Sequence, residues 1–168
     1  MINDEEILNK YRKAGAILSG VRANAKTKVK KGARLLDVAN EIEAEIFAKG
    51  ARPAFPVNIS LNAAAAHDTP APGDERVFGD DIVKLDIGVE IDGYIGDTAI
   101  TVDMSGHPEL VKASEAALEN AIKIVKAGVS TGEIGRVIEE TITGYGFKPV
   151  YNLTGHGLEQ YVQHAEPS

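Results

Sequence analysis

The chain has 168 residues, 43% hydrophobic and 26% charged, with 25 acidic side chains against 18 basic ones and a net charge of −7. This composition fits one folded domain with a substantial core and excludes disorder and fibrous repeats, while the acidic balance argues against a nucleic-acid surface and favours a cleft for cations or amines. There is no cysteine, so only oxygen and imidazole groups are left to bind a metal. The uncharged run AFPVNISLNAAAA is shorter than the roughly 20 apolar residues of a membrane helix. MINDEE is acidic where a signal peptide would be basic, and a cytoplasmic location is expected.

Asn3 followed by Glu6 predicts a capped helix start, with Ile7, Tyr11, Ala14, Leu18, Val21 and Ala25 at helical spacing. The basic run Lys26 to Lys31 suits that helix's negative end. A second helix is expected from about Leu35, burying Val38, Ile42 and Ile46 and ending at Gly50. Next comes a hairpin over 82–102, turned by Asp92-Gly93. Pro108 starts a third helix carrying Val111, Leu118, Ile122 and Val125. Ser130 and Glu133 form a capping box for a fourth, with Ile134, Ile138 and Ile142 expected inside.

The segments VKKGARLLDVANEIEAEIFAKGARP and VKAGVSTGEIGRVIEETITGYGFKP align without a gap at an offset of 96 residues. Gly32, Gly50 and Pro53 match Gly128, Gly146 and Pro149, so the same loop and helix lengths recur with the same breakers. Helical periodicity alone would account for the apolar matches but not for the breakers. The chain therefore reads as one and a half copies of a helix, helix, hairpin unit, the first half at about 1–105 and the start of the second at about 106–168. A half-built sheet would leave an edge bare, so a fragment of a longer protein is expected.

With a two-residue turn, Ile91 faces Tyr94, Asp86 faces Ala99 and Gly88 faces Asp97. The two aspartates then share a face as diagonal neighbours, about 7–8 Å apart or somewhat less, with space beside Asp97 above the bare Gly88. Val83, Leu85, Ile87, Val89, Ile91, Ile100 and Val102 fall on the other face. Alternation by itself would place solvated polar residues here. Two facing carboxylates on a strand are unfavourable, however, and a shared cation would offset the repulsion.

Histidines supply the other candidate ligands. His156 lies between two glycines, which would let a ligand approach and the imidazole be aimed, and His164 follows eight residues later. His67 sits among small residues in AAAAHDTP, and the repeat offset places it one residue short of His164, on the opposite wall of one site. His107, before a helix, reads as a turn residue. Two carboxylates and an imidazole suit Mn, Fe, Co or Zn.

Together NISLNAAAAHDTP, KLDIGVEIDGYIGDTAITV and NLTGHGLEQYVQHAEPS resemble the type 2 methionine aminopeptidases of the short archaeal kind. The resemblance implies an α/β (α+β) pita-bread fold, the creatinase/aminopeptidase fold, with a curved antiparallel sheet, helices on its outer face and pseudo-twofold halves, the second incomplete here. It implies two divalent metal ions (Co, Mn, Fe or Zn), with Asp86 as a ligand, Asp97 bridging and His156 binding one ion. Two glutamates that complete the site in the family would lie beyond Ser168. It also implies that His67 and His164 contact substrate and assist the tetrahedral intermediate, that fumagillin-type inhibitors alkylate His67, and that Phe55 and Pro56 line the methionine pocket. The implied reaction removes an N-terminal methionine before a small residue; aminopeptidases are among the enzymes for which two-ion catalysis is established. The implied partners are peptide or nascent-protein N-termini and the ribosome, with no membrane or nucleic acid, and the full-length protein would be a monomer. The 168 residues alone, lacking both glutamates, are expected to turn over little. Gln163 and Glu166 depart from the family pattern and alter the pocket's fine shape. The rival readings are a binding module of the same fold that has lost its metal ligands and a prolidase-like dipeptidase.

Overall fold

The elements in chain order are α1 (Glu5–Lys28), α2 (Leu35–Ala48), β1 (Arg52–Pro53), β2 (Asn58–Leu61), β3 (Ile82–Ile91), β4 (Tyr94–Asp103), α3 (Pro108–Ile124), α4 (Thr131–Gly144), β5 (Gly157–Glu159) and β6 (Val162–Ala165). The computed structural model describes residues 4–167. The described residues up to Ser105, joined by Leu158–His164, form one compact unit, and Gly106–Gly157 with the residues after His164 form another.

In the first unit, Asp92 and Gly93 take positive φ angles of 52° and 84° and close a two-residue type I′ turn. The turn fixes the predicted register: Ile91 faces Tyr94, Gly88 faces Asp97 and Asp86 faces Ala99. β1 and β2 both run antiparallel along the other edge of β3, with Asn58 opposite Asp86 and Pro53 opposite Val89. Between them Ala54 N still donates to Gly88 O (3.0 Å), and the chain leaves the ladder at residues 55–57. Pro56 has no N–H to contribute there, and the Val57 N–H donates instead to Glu43 Oε1 of α2 (3.1 Å).

One face of this sheet forms the core. Val83, Leu85, Ile87 and Val89 are fully buried against Ala14, Leu18, Val21 and Ala25 of α1 and Val38, Ile42 and Ile46 of α2. Burying each large aliphatic side chain contributes about 1.5–3 kcal/mol. Gly96 lets α1 approach, because a Cβ there would lie 3.3 Å from Leu18 Cδ2. The cap of α1 is Asp4, whose Oδ1 accepts from the N–H groups of Glu6 (2.8 Å) and Ile7 (3.4 Å). Asn3, the cap expected from the sequence, lies outside the described residues.

In the second unit, Ser130 and Glu133 form the expected capping box of α4. α3 starts at Pro108 as expected, but its large apolar residues are not the buried ones. Leu118, Ile122 and Val125 are 56%, 62% and 61% exposed, and the buried residues are Ala113, Ala117 and Ala121. Small residues let α3 and α4 pack closely, which large aliphatic side chains at the contact would prevent. Ile134, Ile138 and Ile142 of α4, expected inside, are only half-buried. The first two line a cavity of about 360 Å³ with Thr154, Gly155, His156, Gly157 and Pro167.

Candidate active site

The face of the sheet turned away from α1 and α2 carries Asn58 and Ser60 of β2, Lys84, Asp86, Gly88 and Glu90 of β3, and Ile95, Asp97, Ala99 and Thr101 of β4. Asp86 and Asp97 occupy diagonal positions on it, and both are half-buried. Diagonal carboxylates about 7–8 Å apart or somewhat less can converge on a cation bound between them. As hard oxygen donors they fit a divalent ion, and half-burial keeps such an ion partly shielded from water. Among the described residues, no group of three or more Asp, Glu or His side chains stands ready to hold a metal.

Phe55 lies on this face. Its ring covers Gly88, where an added Cβ would sit 2.6 Å from Cδ1, 2.9 Å from Cζ and closer still to Cε1. The space beside Asp97 that the sequence reading left open is thus bounded by an aromatic ring, because the 55–57 excursion folds Phe55 over the strand. Phe55 is half-buried, while Pro56 beside it is exposed.

His67 and His164 come together, with ring centroids 6.1 Å apart and planes tilted by 32°. His67 holds a φ of +61°, a conformation uncommon outside glycine. The neighbouring Asp68 holds the loop in place: its carbonyl accepts from Ile59 N (2.7 Å), its own N–H donates to Ser60 Oγ (3.3 Å), and its carboxylate receives two Arg76 bonds (2.7 and 2.9 Å). Arg76 also grips Asp74, and its hydrogen bonds hold both carboxyls below the ordinary carboxylate range. His164 is carried on the β5–β6 hairpin. Tyr161 seats that hairpin by donating its N–H to Gly93 O (2.8 Å) and laying its ring where a Gly93 Cβ would be, 2.6 Å away.

His156 belongs to the second unit. Its Nδ1 is 3.0 Å from Gly157 O, and because a carbonyl only accepts, Nδ1 is the donor in that contact. The absence of a side chain at Gly157 also has a structural use. It admits the backbone of Glu166, whose carbonyl carbon would be 2.9 Å from a Cβ. Gln163 is half-buried and lines a cavity of about 180 Å³ with Ala54, Glu90, Gly93, Ile95 and Tyr161. His107 is the N-cap residue of α3.

Sequence reasoning missed β2 and therefore Asn58, which faces Asp86 across the ladder. The available signal was the alternation of Asn58 and Ser60 with Ile59 and Leu61.

Residues 9–168 match the profile of metallopeptidase family M24. A methionine aminopeptidase of Archaeoglobus fulgidus is 53% identical over 98% of this chain, which spans 57% of that relative's length. A methionine aminopeptidase of Methanothermus fervidus is 46% identical over 94% of this chain and 92% of its own. The crystal structure of a Thermotoga maritima methionine aminopeptidase superposes with a TM-score of 0.90 at 28% identity, covering 99% of this chain and 71% of that one. The fold shared with these proteins is the mixed α/β pita-bread fold. No helix among the described residues is long and apolar enough to cross a membrane.

Proposed function

Because the chain belongs to metallopeptidase family M24, we propose that the protein carrying it removes N-terminal methionine from peptides and nascent proteins with a small second residue. One observation carries this reading: Asp86 and Asp97 lie diagonally on the sheet face turned away from the helices, with the Phe55 ring over the glycine opposite Asp97. Asp86, Asp97 and His156 would hold divalent ions, Mn, Fe, Co or Zn, with two ions in the complete site. When bound, such ions polarise the scissile carbonyl and activate water.

The chain's own residues do the rest. Asp86 and Asp97 fix the ions, and their negative charge favours a substrate with a protonated amine at its terminus. Phe55 supplies an apolar wall for a thioether side chain, a favourable sulfur–aromatic contact. His67 and His164, facing each other, present imidazole nitrogens to the peptide and to the oxyanion that forms as its carbonyl becomes tetrahedral. With Nδ1 turned to Gly157 O, Nε2 of His156 would be the ligand atom.

The test is release of free methionine from Met-Ala-Ser by the full-length protein with Mn²⁺ or Co²⁺, next to an Asp97→Asn variant. Release by the parent and its loss in the variant is expected. A metal-loaded parent that leaves the peptide intact, as a binding module would, refutes the proposal.

A further inference from the structure

Asn58 is a polar side chain in an unfavourable place. It is 7% exposed and lies within a strand, where asparagine is disfavoured both by β-propensity and by the cost of burying an amide. Both ends of its side chain are nevertheless engaged. The amide Nδ2–H donates to Asp86 Oδ2 at 3.4 Å, and Oδ1 accepts from the Thr69 hydroxyl. An ionised carboxylate only accepts, so it is the Asp86 side that decides which way the amide is turned. Thr69 stands two residues after His67, on the loop that Asp68 and Arg76 fasten to β2. One side chain thus joins the loop that bears His67 to the Asp86 carboxylate.

We propose that Asn58 is a positioning residue: held by Thr69, it orients the Asp86 carboxylate toward the bound ion and keeps the His67 loop in register with it. This rests on the reading of Asp86 as a metal ligand. The register places Asn58 directly opposite Asp86, so its amide occupies one carboxylate oxygen and leaves the other oxygen for the ion. Outer partners of this kind set the angle of a ligand, and losing them typically costs about 10–100-fold in metal affinity. The amide carries its donor and its acceptor on two separate atoms, so one side chain reaches the carboxylate and the hydroxyl at once. Leucine would offer neither, and aspartate would face Asp86 with like charge.

The experiment measures Mn²⁺ binding to the full-length protein by electron paramagnetic resonance of the free ion. Visible Co²⁺ absorption reports ligand geometry, and thermal unfolding verifies the fold. Asn58→Leu is expected to weaken binding by about 10–100-fold and to shift the Co²⁺ band. Thr69→Val, at an exposed loop position that leaves the core untouched, is expected to change both readouts in the same direction by less, and Thr69→Ser, which keeps the hydroxyl, to restore them. Asp86→Asn separates the two levels of the claim. If it leaves affinity unchanged, the assignment of Asp86 as a ligand fails and the positioning role fails with it. If it abolishes binding while Asn58→Leu and Thr69→Val bind like the parent with an unshifted band, the positioning role alone is overturned.

Discussion

Replacing Gly88 with alanine tests whether the Phe55 ring is held against the sheet. The backbone of Gly88 lies in a strand and outside the left-handed region, so alanine is allowed there, and exchanging glycine for alanine within a strand gains about 0.5–1 kcal/mol. Against this, the new methyl would sit 2.6 Å from Cδ1 and 2.9 Å from Cζ of Phe55, well inside contact distance. Overpacking of this kind costs about 1–3 kcal/mol. The net expectation is a destabilisation of up to about 2.5 kcal/mol, read from urea unfolding with an unchanged m-value. In a Phe55→Ala background the clash is gone and the sign reverses, with Gly88→Ala becoming neutral or stabilising by up to about 1 kcal/mol. Equal costs of Gly88→Ala with and without the ring would refute the reasoning. The displaced ring should also raise KM for Met-Ala-Ser, since Phe55 forms the proposed wall for methionine.

Gly93→Ala combines a strained φ of +84° with a clash against Tyr161, and is expected to destabilise by more than Gly88→Ala; adding Tyr161→Ala should restore only the part due to the clash, as measured by the same unfolding assay. Ser130→Ala removes the α4 capping box and should cost about 0.5–2 kcal/mol, with a matching loss of helical circular dichroism on warming. Asp68 and Asp74 have carboxyls held below their ordinary value by Arg76, so the clamp on the His67 loop is complete above the unfolded value near 3.8 and weakens as pH falls through the lowered folded values. Cleavage within residues 62–78 by an acid-active protease should therefore rise only below about pH 4, and Arg76→Leu should abolish that step.

Sequence periodicity and turn chemistry carried the hairpin a long way. An Asp-Gly turn leaves one two-residue geometry, and one residue of slip would have moved Val83, Leu85, Ile87 and Val89 out of the core, so the Asp86 and Asp97 positions followed. For α3 periodicity gives the helix but not its buried side, because the sequence offers two stripes to choose from. Size favours Leu118, Ile122 and Val125, but close helix packing selects Ala113, Ala117 and Ala121. β2 was passed over because its alternation, though present, runs over only four residues, and its two polar members are explained only by the partners the fold brings them, Asp86 and Thr69 for Asn58 and Asp68 for Ser60. The contact of Phe55 with Gly88 lies beyond any local rule, since it depends on an excursion stabilised by Glu43 of α2.

The membership of Leu158–His164 in the first unit bears on how that unit is completed during synthesis. The sheet and its two helices are all translated by Ser105, but the hairpin that rests on Gly93 arrives about 60 residues later, roughly 3–12 s at about 5–20 residues per second. Throughout that interval the nascent chain presents a finished turn still missing its aromatic cover. His67 meets its counterpart only after α3 and α4 have emerged.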